Sequence, residues 1–466
     1  MTRTTRIIRN IAIGIGALLV LLIVSVLVVV HTDWFRNYVR EKIIAATEDG
    51  TGGRVEIGSF NFDVSDLRAV VTNFVIHGTE PAGAPPFVQA ARVAVDIRLF
   101  TSIHHLLDIT FLGVQQPQVN VMVSADGRTN IPTPKTKSTS NKSALETVVD
   151  LAVGHFELTN GLATFNSKKQ PLDVRANNLH AQLFYNVVGQ SYQGKLSMEP
   201  LYVLSGRNTP VNFKVDVPVA LHRDRIDIRN ATISTPVSTI SINGSMENMN
   251  SPKVSAHING RVATIDLENV ANLPLAVNAK NVPGELDLEA NATASSDAID
   301  VAGLRITLGK SNFEASGRLK DPSGNASLQF RSELAPGELG RLAKFTAPDT
   351  PVTLSGVAKL DAANNLDLTG LHVAAIGAEF DGSVSLANFQ RYKVQGNLRN
   401  LDIQNAARLF HQKIPYDGVI SGSVDAQGEK AVVAAAHFTI SPGRRGIPVS
   451  GRINADYNSA NDNIVV

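Results

Sequence analysis

The sequence predicts a mainly β protein: an N-terminal transmembrane helix, then a long curved β-sheet built from repeats and open as a groove, with a few short capping helices. Three observations carry this expectation. An unbroken apolar run fills Ile11 to Val30, apolar and polar residues alternate from Arg54 onward, and one eight-residue pattern recurs through the second half of the chain. Composition agrees, because aromatic content of 6% with abundant Val, Ile, Thr, Asn and Gly favours strands and turns over helix bundles.

Taken in order, residues 1–10 form a short basic tail with Arg3, Arg6 and Arg9 and no acidic residue. The run 11–30 that follows, at about 1.5 Å of rise per residue, spans the ~30 Å hydrocarbon core of a bilayer. Beyond it Asp33, Arg36, Arg40, Glu41 and Lys42 are mixed in sign, so the positive-inside rule keeps the N-terminus cytoplasmic and exports the rest. A cleaved signal would share the basic start, but the apolar run exceeds a signal core and Val30-His31-Thr32-Asp33-Trp34 offers no small-x-small cleavage site. Trp34 and Tyr38 suit the aromatic belt of a membrane surface. Phe35, Val39, Ile43 and Ile44 fall at helical spacing, which predicts that the helix runs on to Thr47 and stops at Gly50 to Gly53.

A β region over 31–130 is expected next. Val55 and Ile57, then Phe60, Phe62 and Val64, then Val71 to Ile76 read as strands, Phe87 to Leu99 as another, Thr101 to Leu107 as a helical corner, and Ile109 to Val123 as one or two strands. The stretch 131–143, rich in Pro, Ser, Thr and Lys, is a polar linker loop with nothing to bury. The remainder, 144–466, is expected to be repeat-built sheet, with Asn160-Gly161 a hairpin turn between His155 to Thr159 and Leu162 to Phe165.

The repeat is the strongest internal signal. Ile226 to Ile233, Ile299 to Ile306 and Leu366 to Val373 align without gaps as Φ-D-Φ-x-[N/G]-Φ-x-Φ, Φ being apolar, with starts 73 and then 67 positions apart; Leu107 to Val114 is a weaker copy. Apolar positions change parity across Asn230, Gly303 and Gly370, so each strand must take one extra residue there to keep its apolar side on one face. Asn and Gly tolerate the left-handed conformation such a bulge uses. Between copies, Asp266 to Leu273, Pro336 to Phe345 and Asp402 to Phe410 read as short helices that cap a strand layer, with Asp266 and Asp402 as N-caps.

The succession anchor, R-V-E-I at Arg54 to Ile57, N-F-V-I at Asn73 to Ile76, P-P-F at Pro85 to Phe87, Arg92 to Leu99, Leu107 to Val121 and D-G-R-T-N at Asp126 to Asn130 resembles the N-terminal region of the AsmA family of bacterial envelope proteins. The resemblance covers the first third of the chain by pattern and the rest in style. It implies an inner-membrane-anchored periplasmic conduit, similar in architecture to chorein-type bridge proteins, that carries phospholipid toward the outer membrane along a diffuse apolar lining. The lining expected here comprises Ile226, Ile228, Ile233, Ile299, Val301, Leu304, Ile306, Leu366, Leu368, Leu371 and Val373. Holding a chain of about sixteen carbons out of water removes a cost on the order of 12 kcal/mol. The expected partners are the inner membrane and phospholipids, with outer-membrane or envelope proteins behind them.

Several classes find no support. The balance of 43 basic to 42 acidic residues offers no field for nucleic acid, and zero cysteine removes disulfides, CxxC redox chemistry and thiolate metal sites. Gly303 with Gly309-Lys310-Ser311 mimics a phosphate loop, but the spacing is one residue too long and no helix follows. His104, His105 and Asp108 lack further ligands for a metal, and neither HExxH nor GxSxG occurs, so neither enzyme nor cofactor is expected. Two alternatives remain. The same apolar residues would equally pack an ordinary β-sandwich core, and a periplasmic scaffold or assembly factor for outer-membrane proteins would bind partners through strand edges. A polysaccharide module would want aromatic platforms, for which one Trp and few Tyr are a poor endowment. Ile464-Val465-Val466 ends within an apolar run, so a further segment or a partner is expected to complete the sheet.

Overall fold

The structure, a computed structural model, describes residues 28–99, 107–133, 143–169, 172–205, 210–271, 284–320, 325–336, 338, 349–361, 365–388, 391–409, 412–429, 432–458 and 463–465. The anchor up to residue 27, the corner with His104 and His105, most of the 131–143 loop and most of the helix expected after Pro336 lie outside them. Among the described residues no helix is long and apolar enough to cross a membrane. The fold is mainly β, with long many-stranded sheet and few short helices. It divides into two compact units, 1–227 and 228–466.

In the first unit, α1 (Asp33–Thr51) does not simply continue the helical residues 28–30. Thr32 is extended, at φ −80° and ψ 147°, and its side chain accepts the Phe35 N–H, so the chain breaks and is recapped there. Gly52, at φ 76°, ends the helix by donating its N–H to the Glu48 carbonyl, 2.8 Å away. The helix closes the outer edge of β1 (Arg54–Asp63): Arg40 Nε donates to the Ile57 carbonyl at 2.9 Å and the Val55 N–H donates to Glu48 Oε1 at 2.9 Å. Ile43 and Ile44 pack against the buried Val55, Ile57 and Ile76. An uncovered edge would be a template for strand addition, and the start of this one, at Val55 and Ile57, is bonded internally.

From β1 the ladder runs antiparallel through β2 (Arg68–His77) to β3 (Val88–Leu99), which pairs with β4 (Leu107–Gln115) and, at its start, with β5 (Gln118–Val123). Both β4 and β5 lie parallel to β6 (His155–Ser167), Phe111 to Gln115 against His155 to Thr159 and Gln118 to Val123 against Leu162 to Ser167. Asn160-Gly161 is therefore not a hairpin turn but a bulge inside one continuous strand, where β6 passes from one neighbour to the next. The left-handed Asn160, φ 55°, serves a bulge as well as a type I′ turn, which is why the dipeptide misleads. Opposite it Gln116 is also left-handed, and the Gln116 N–H to Thr159 carbonyl and Leu162 N–H to Pro117 carbonyl bonds, 2.8 Å each, stitch the break. The short helix α2 (Ala144–Asp150) docks Val149 on Val153 and Tyr192, whose hydroxyl accepts the Val153 N–H at 2.6 Å. Then β7 (Leu172–Asn186), β8 (Ser191–Ser205) and β9 (Val211–Leu221) continue the antiparallel ladder.

The second unit is an antiparallel ladder: β10 (Arg225–Ser234), β11 (Thr239–Glu247), β12 (Lys253–Ala263), β13 (Glu285–Ala294), β14 (Ala298–Leu308), β15 (Ser311–Lys320), β16 (Ala326–Leu334), β17 (Val352–Leu360), β18 (Leu366–Ala375), β19 (Ala378–Ala387), β20 (Arg391–Asp402), β21 (Tyr416–Gly428) and β22 (Val432–Pro442). A two-residue β23 (Ile447–Pro448) lies parallel to β21, while β24 (Gly451–Asn458) extends the ladder from β22 and β25 (Asn463–Val465) follows. The sequence repeat is a four-strand unit: the Φ-D-Φ strand is β10, β14 and β18, and a helix follows the third strand of each set. These helices are α3 (Thr264–Ala271), a second described only at its start around Pro336, and α4 (Ile403–Leu409).

Each helix is fastened to the hairpin between the first two strands of its repeat. Asp266 accepts the hydroxyls of Thr235 and Ser238 at 2.5 Å, and Ser238 Oγ accepts the Ala263 N–H at 2.9 Å. In the next copy Glu338 accepts Ser311 Oγ at 3.0 Å and the Lys310 N–H at 3.3 Å, and Ser311 Oγ accepts the Ala335 N–H at 2.9 Å. The third copy substitutes Ala378 for the serine, and Asn405 Nδ2 donates to the Ile376 carbonyl at 3.0 Å. Asp266 thus lies inside the first turn and grips a neighbouring hairpin instead of capping α3, while Asp402 does cap α4 by accepting the Gln404 and Asn405 N–H groups. The Gly309-Lys310-Ser311 segment that mimics a phosphate loop is the hairpin half of this clamp.

Candidate functional site

Residues paired directly across a ladder point to the same face of a sheet, so register fixes the character of each face. From β11 to β24 one transverse row reads Ile242, Ile258, Ala290, Leu304, Ala315, Phe330, Gly356, Leu371, Gly382, Gly396, Val424, Ala436, Ala455. Three parallel rows on the same face pass through Ile306 and Val373, through Val301 and Leu368, and through Ile299 and Leu366. Three of the rows cross all thirteen strands and the row through Ile299 and Leu366 ends at Val432 in the twelfth; the four hold only apolar residues, glycines and two tyrosines, with the single exception of Ser332, which is buried and donates its hydroxyl to the Asn312 carbonyl at 2.8 Å.

The rows stay in line because the bulges fall where parity changes. Val301 pairs with Gly317 and Leu304 with Ala315, so Ala302 and Gly303 together oppose Ser316. Leu368 pairs with Val384 and Leu371 with Gly382, so Thr369 and Gly370 together oppose Ser383. Gly370 is left-handed at φ 58° and Asn230 at φ 53°, the latter donating its N–H to Asn243 Oδ1 at 2.8 Å. Gly303 is a different case. Its φ is not positive and a Cβ there would meet nothing within 4 Å, so the left-handed argument does not apply to it. A further bulge at Arg399 and left-handed Asn400, between Leu398 and Leu401, lies outside the repeat pattern.

The eleven residues singled out from the sequence are distributed as follows. Ile299, Val301, Leu304 and Ile306 in β14 take the same four rows, in the same order, as Leu366, Leu368, Leu371 and Val373 in β18. Leu371 is buried at 7% exposure, Ile299 is open at 38%, and the other nine, including Ile226, Ile228 and Ile233 in β10, are half-buried. Sandwich cores close their facing residues from water; this face remains partly wet. The principal contacts of its strands are with ladder neighbours and with α3 and α4. Sequence reasoning missed the intervening strands, although the alternation Ile240, Ile242, Gly244, Met246 in β11 carries the same signal. Phe380 lies across Gly382 and Gly396, where a Cβ would come within 2.8 and 2.5 Å of its ring, so these two glycines make room for it on the face.

The reverse face is mainly polar, with cross-strand neighbours such as Glu289, Arg305, Glu314, Arg331 and, further on, His372, Asp381 and Asn397, interrupted by apolar residues such as Val357, Val433 and Ala435. Arg305 Nε meets Glu314 at 3.0 Å, Arg318 Nε meets Asp300 at 2.6 Å, and His372 Nδ1 meets Asp381 at 2.7 Å, with Arg399 also on Asp381. The Arg318 hydrogen bond holds the Asp300 carboxyl below its ordinary value; His372 first, then Arg399, does the same for Asp381. Exposed pairs of this kind add little stability, but they keep this face in water. Cavities of about 420 Å³ beside the Ala302-Gly303 bulge and about 660 Å³ near Gln395 and His437 open mainly between these polar side chains. Among the described residues no cluster of His, Asp and Glu could hold a metal ion.

The site described by these residues is therefore an extended two-faced sheet. Comparison with known proteins finds no matching family model, no matching curated protein and no matching solved structure.

Proposed function

We propose that this chain is a lipid-carrying envelope protein, anchored by residues 11–30 in a bacterial inner membrane with its bulk in the periplasm, whose apolar sheet face shields phospholipid acyl chains on their way between inner and outer membrane. The observation that carries the reading is the apolar face itself: four rows, three of them crossing thirteen strands and the fourth twelve, interrupted only by the buried Ser332, half open to water and kept in register by bulges. Leaving so much apolar surface uncovered is costly for a soluble protein unless something occupies it. An acyl chain needs a continuous nonpolar path and no catalytic group, which fits a surface without a discrete site.

The test is to purify the full chain in mild detergent, extract it with organic solvent, and quantify phospholipid per protein by mass spectrometry beside a soluble β-sandwich control. Stoichiometric phospholipid, lost in the Ile228→Asp, Val301→Asp, Leu368→Asp variant with far-ultraviolet dichroism unchanged, is the expected result. Lipid at the control level in the wild-type chain would transfer the apolar face to a protein partner, as a scaffold for outer-membrane protein assembly requires.

A further inference from the structure

The turn that follows β22 carries two adjacent arginines, in the sequence Pro442-Gly443-Arg444-Arg445-Gly446-Ile447-Pro448, with no acidic residue. Both arginines are exposed, and no acidic side chain among the described residues pairs with either. The loop is held from beneath by Asp417, which is 2% exposed. Its carboxylate accepts the Arg445 N–H, its carbonyl accepts the N–H groups of Gly443 at 3.2 Å and Val449 at 2.9 Å, and the Pro415 carbonyl accepts that of Ile447 at 2.9 Å. Gly443 and Gly446 are required by this closeness: a Cβ on the first would sit 2.1 Å from the Asp417 carboxyl carbon, and on the second 2.5 Å from the Pro415 carbonyl oxygen. The two guanidiniums are thus displayed on a fixed backbone. The buried Asp417 charge offsets part of their field, leaving the patch net positive.

The place of the loop gives the patch its meaning. It joins β22 to β24, where Phe438 pairs with Ile453 and Ile440 with Gly451 on the apolar face. The arginines therefore stand at the rim of the apolar rows, only four residues beyond Ile440. A ligand with an apolar body on the rows and an anionic group at the rim would satisfy both surfaces. Guanidinium groups match phosphate by paired N–H donors, which an ammonium cannot do.

Resting on the lipid-carrying reading above, we propose that Arg444 and Arg445 receive the phosphate of a glycerophospholipid whose acyl chains lie on the adjoining rows, so that this rim selects phosphate-bearing lipids over neutral ones. The experiment uses the full chain in detergent with two fluorescent probes of identical acyl chains, phosphatidic acid and diacylglycerol, and a third arm with radiolabelled inorganic phosphate. The wild-type chain is expected to prefer phosphatidic acid by about tenfold, the order of two surface arginines acting on one anionic headgroup. Arg444→Gln, Arg445→Gln should erase the preference and leave diacylglycerol binding unchanged, whereas Arg444→Lys, Arg445→Lys should keep part of it. A preference that survives the glutamine variant overturns the headgroup site and spares the apolar face. Failure of both lipids to bind the wild-type chain overturns the apolar-face reading and this inference with it. Inorganic phosphate bound as tightly as phosphatidic acid, and lost in the glutamine variant, would make the loop a free-phosphate site and overturn the lipid assignment.

Discussion

Removing one buried hydroxyl from the repeated clamp should loosen one rim of the second unit. Ser311 is 4% exposed, donates to Glu338 Oε2 at 3.0 Å and accepts the Ala335 N–H at 2.9 Å, while Glu338 is itself 8% exposed. Ser311→Ala takes a donor from a buried carboxylate, worth about 1.5–3 kcal/mol, and strands a buried N–H, worth about 1–3 kcal/mol. Because the two losses share one site and Lys310 N–H still reaches Glu338, we expect about 2–4 kcal/mol in total. Hydrogen exchange resolved by peptide is the suitable assay, because a chain with two units need not unfold in one transition. Amides around the β14–β15 hairpin and Ala335 should exchange about 30- to 1000-fold faster, from 1.4 kcal/mol per factor of ten. Those near the third copy, which has Ala378 in the serine position, should not change. An increase below about threefold at the second copy would refute the clamp as a source of rim stability.

The two bulge glycines should part company. Gly370→Ala forces a Cβ into φ 58° and should destabilise by about 1–2 kcal/mol, whereas Gly303→Ala, with ordinary φ and open space, should be neutral or slightly stabilising; urea unfolding of each variant measures both. Gly396→Ala would place a Cβ 2.5 Å from the Phe380 ring and 2.6 Å from the Asp381 carbonyl oxygen, so about 1–3 kcal/mol of overpacking is expected in the same assay. Arg68 binds Asp96 through two hydrogen bonds of 2.5 and 2.6 Å, which hold the Asp96 carboxyl below its ordinary value. A depressed carboxyl contributes stability that is present above the unfolded value, about 3.9, and is lost as pH falls through the lower folded value. Asp96→Asn should therefore lower stability in the neutral region, converge on the wild type as pH falls below about 4, and so flatten the acid limb, as a thermal-shift series from pH 3 to 7 would read.

Much of this fold is legible in the sequence because alternation and repetition are local signals. Ile299 to Ile306 and Leu366 to Val373 announce both their strands and their bulges, since a parity change inside a period-two pattern has few other physical solutions. What stays hidden depends on distant partners. Asn160-Gly161 reads as a turn because its left-handed backbone suits one; that β4 and β5 lie alongside β6 in succession cannot be seen from the dipeptide. Asp266 has the sequence signature of a cap, but the Thr235 and Ser238 hydroxyls claim it from 31 and 28 residues away. The Arg444-Arg445 loop was silent for the same reason, since Asp417 beneath it is remote in sequence.

The central claim is that lipid lies on one face of this sheet, and β18 allows the most direct measurement. A photo-reactive phenylalanine analogue placed singly from Leu366 to Val373 and activated in cells should crosslink phospholipid from positions 366, 368, 371 and 373. It should not do so from 367, 369 and 372. The switch from even to odd positions at Gly370 is the fingerprint of the bulged apolar face. Crosslinks that keep strict even parity through 370, or that join protein instead of lipid at all four positions, would contradict the account.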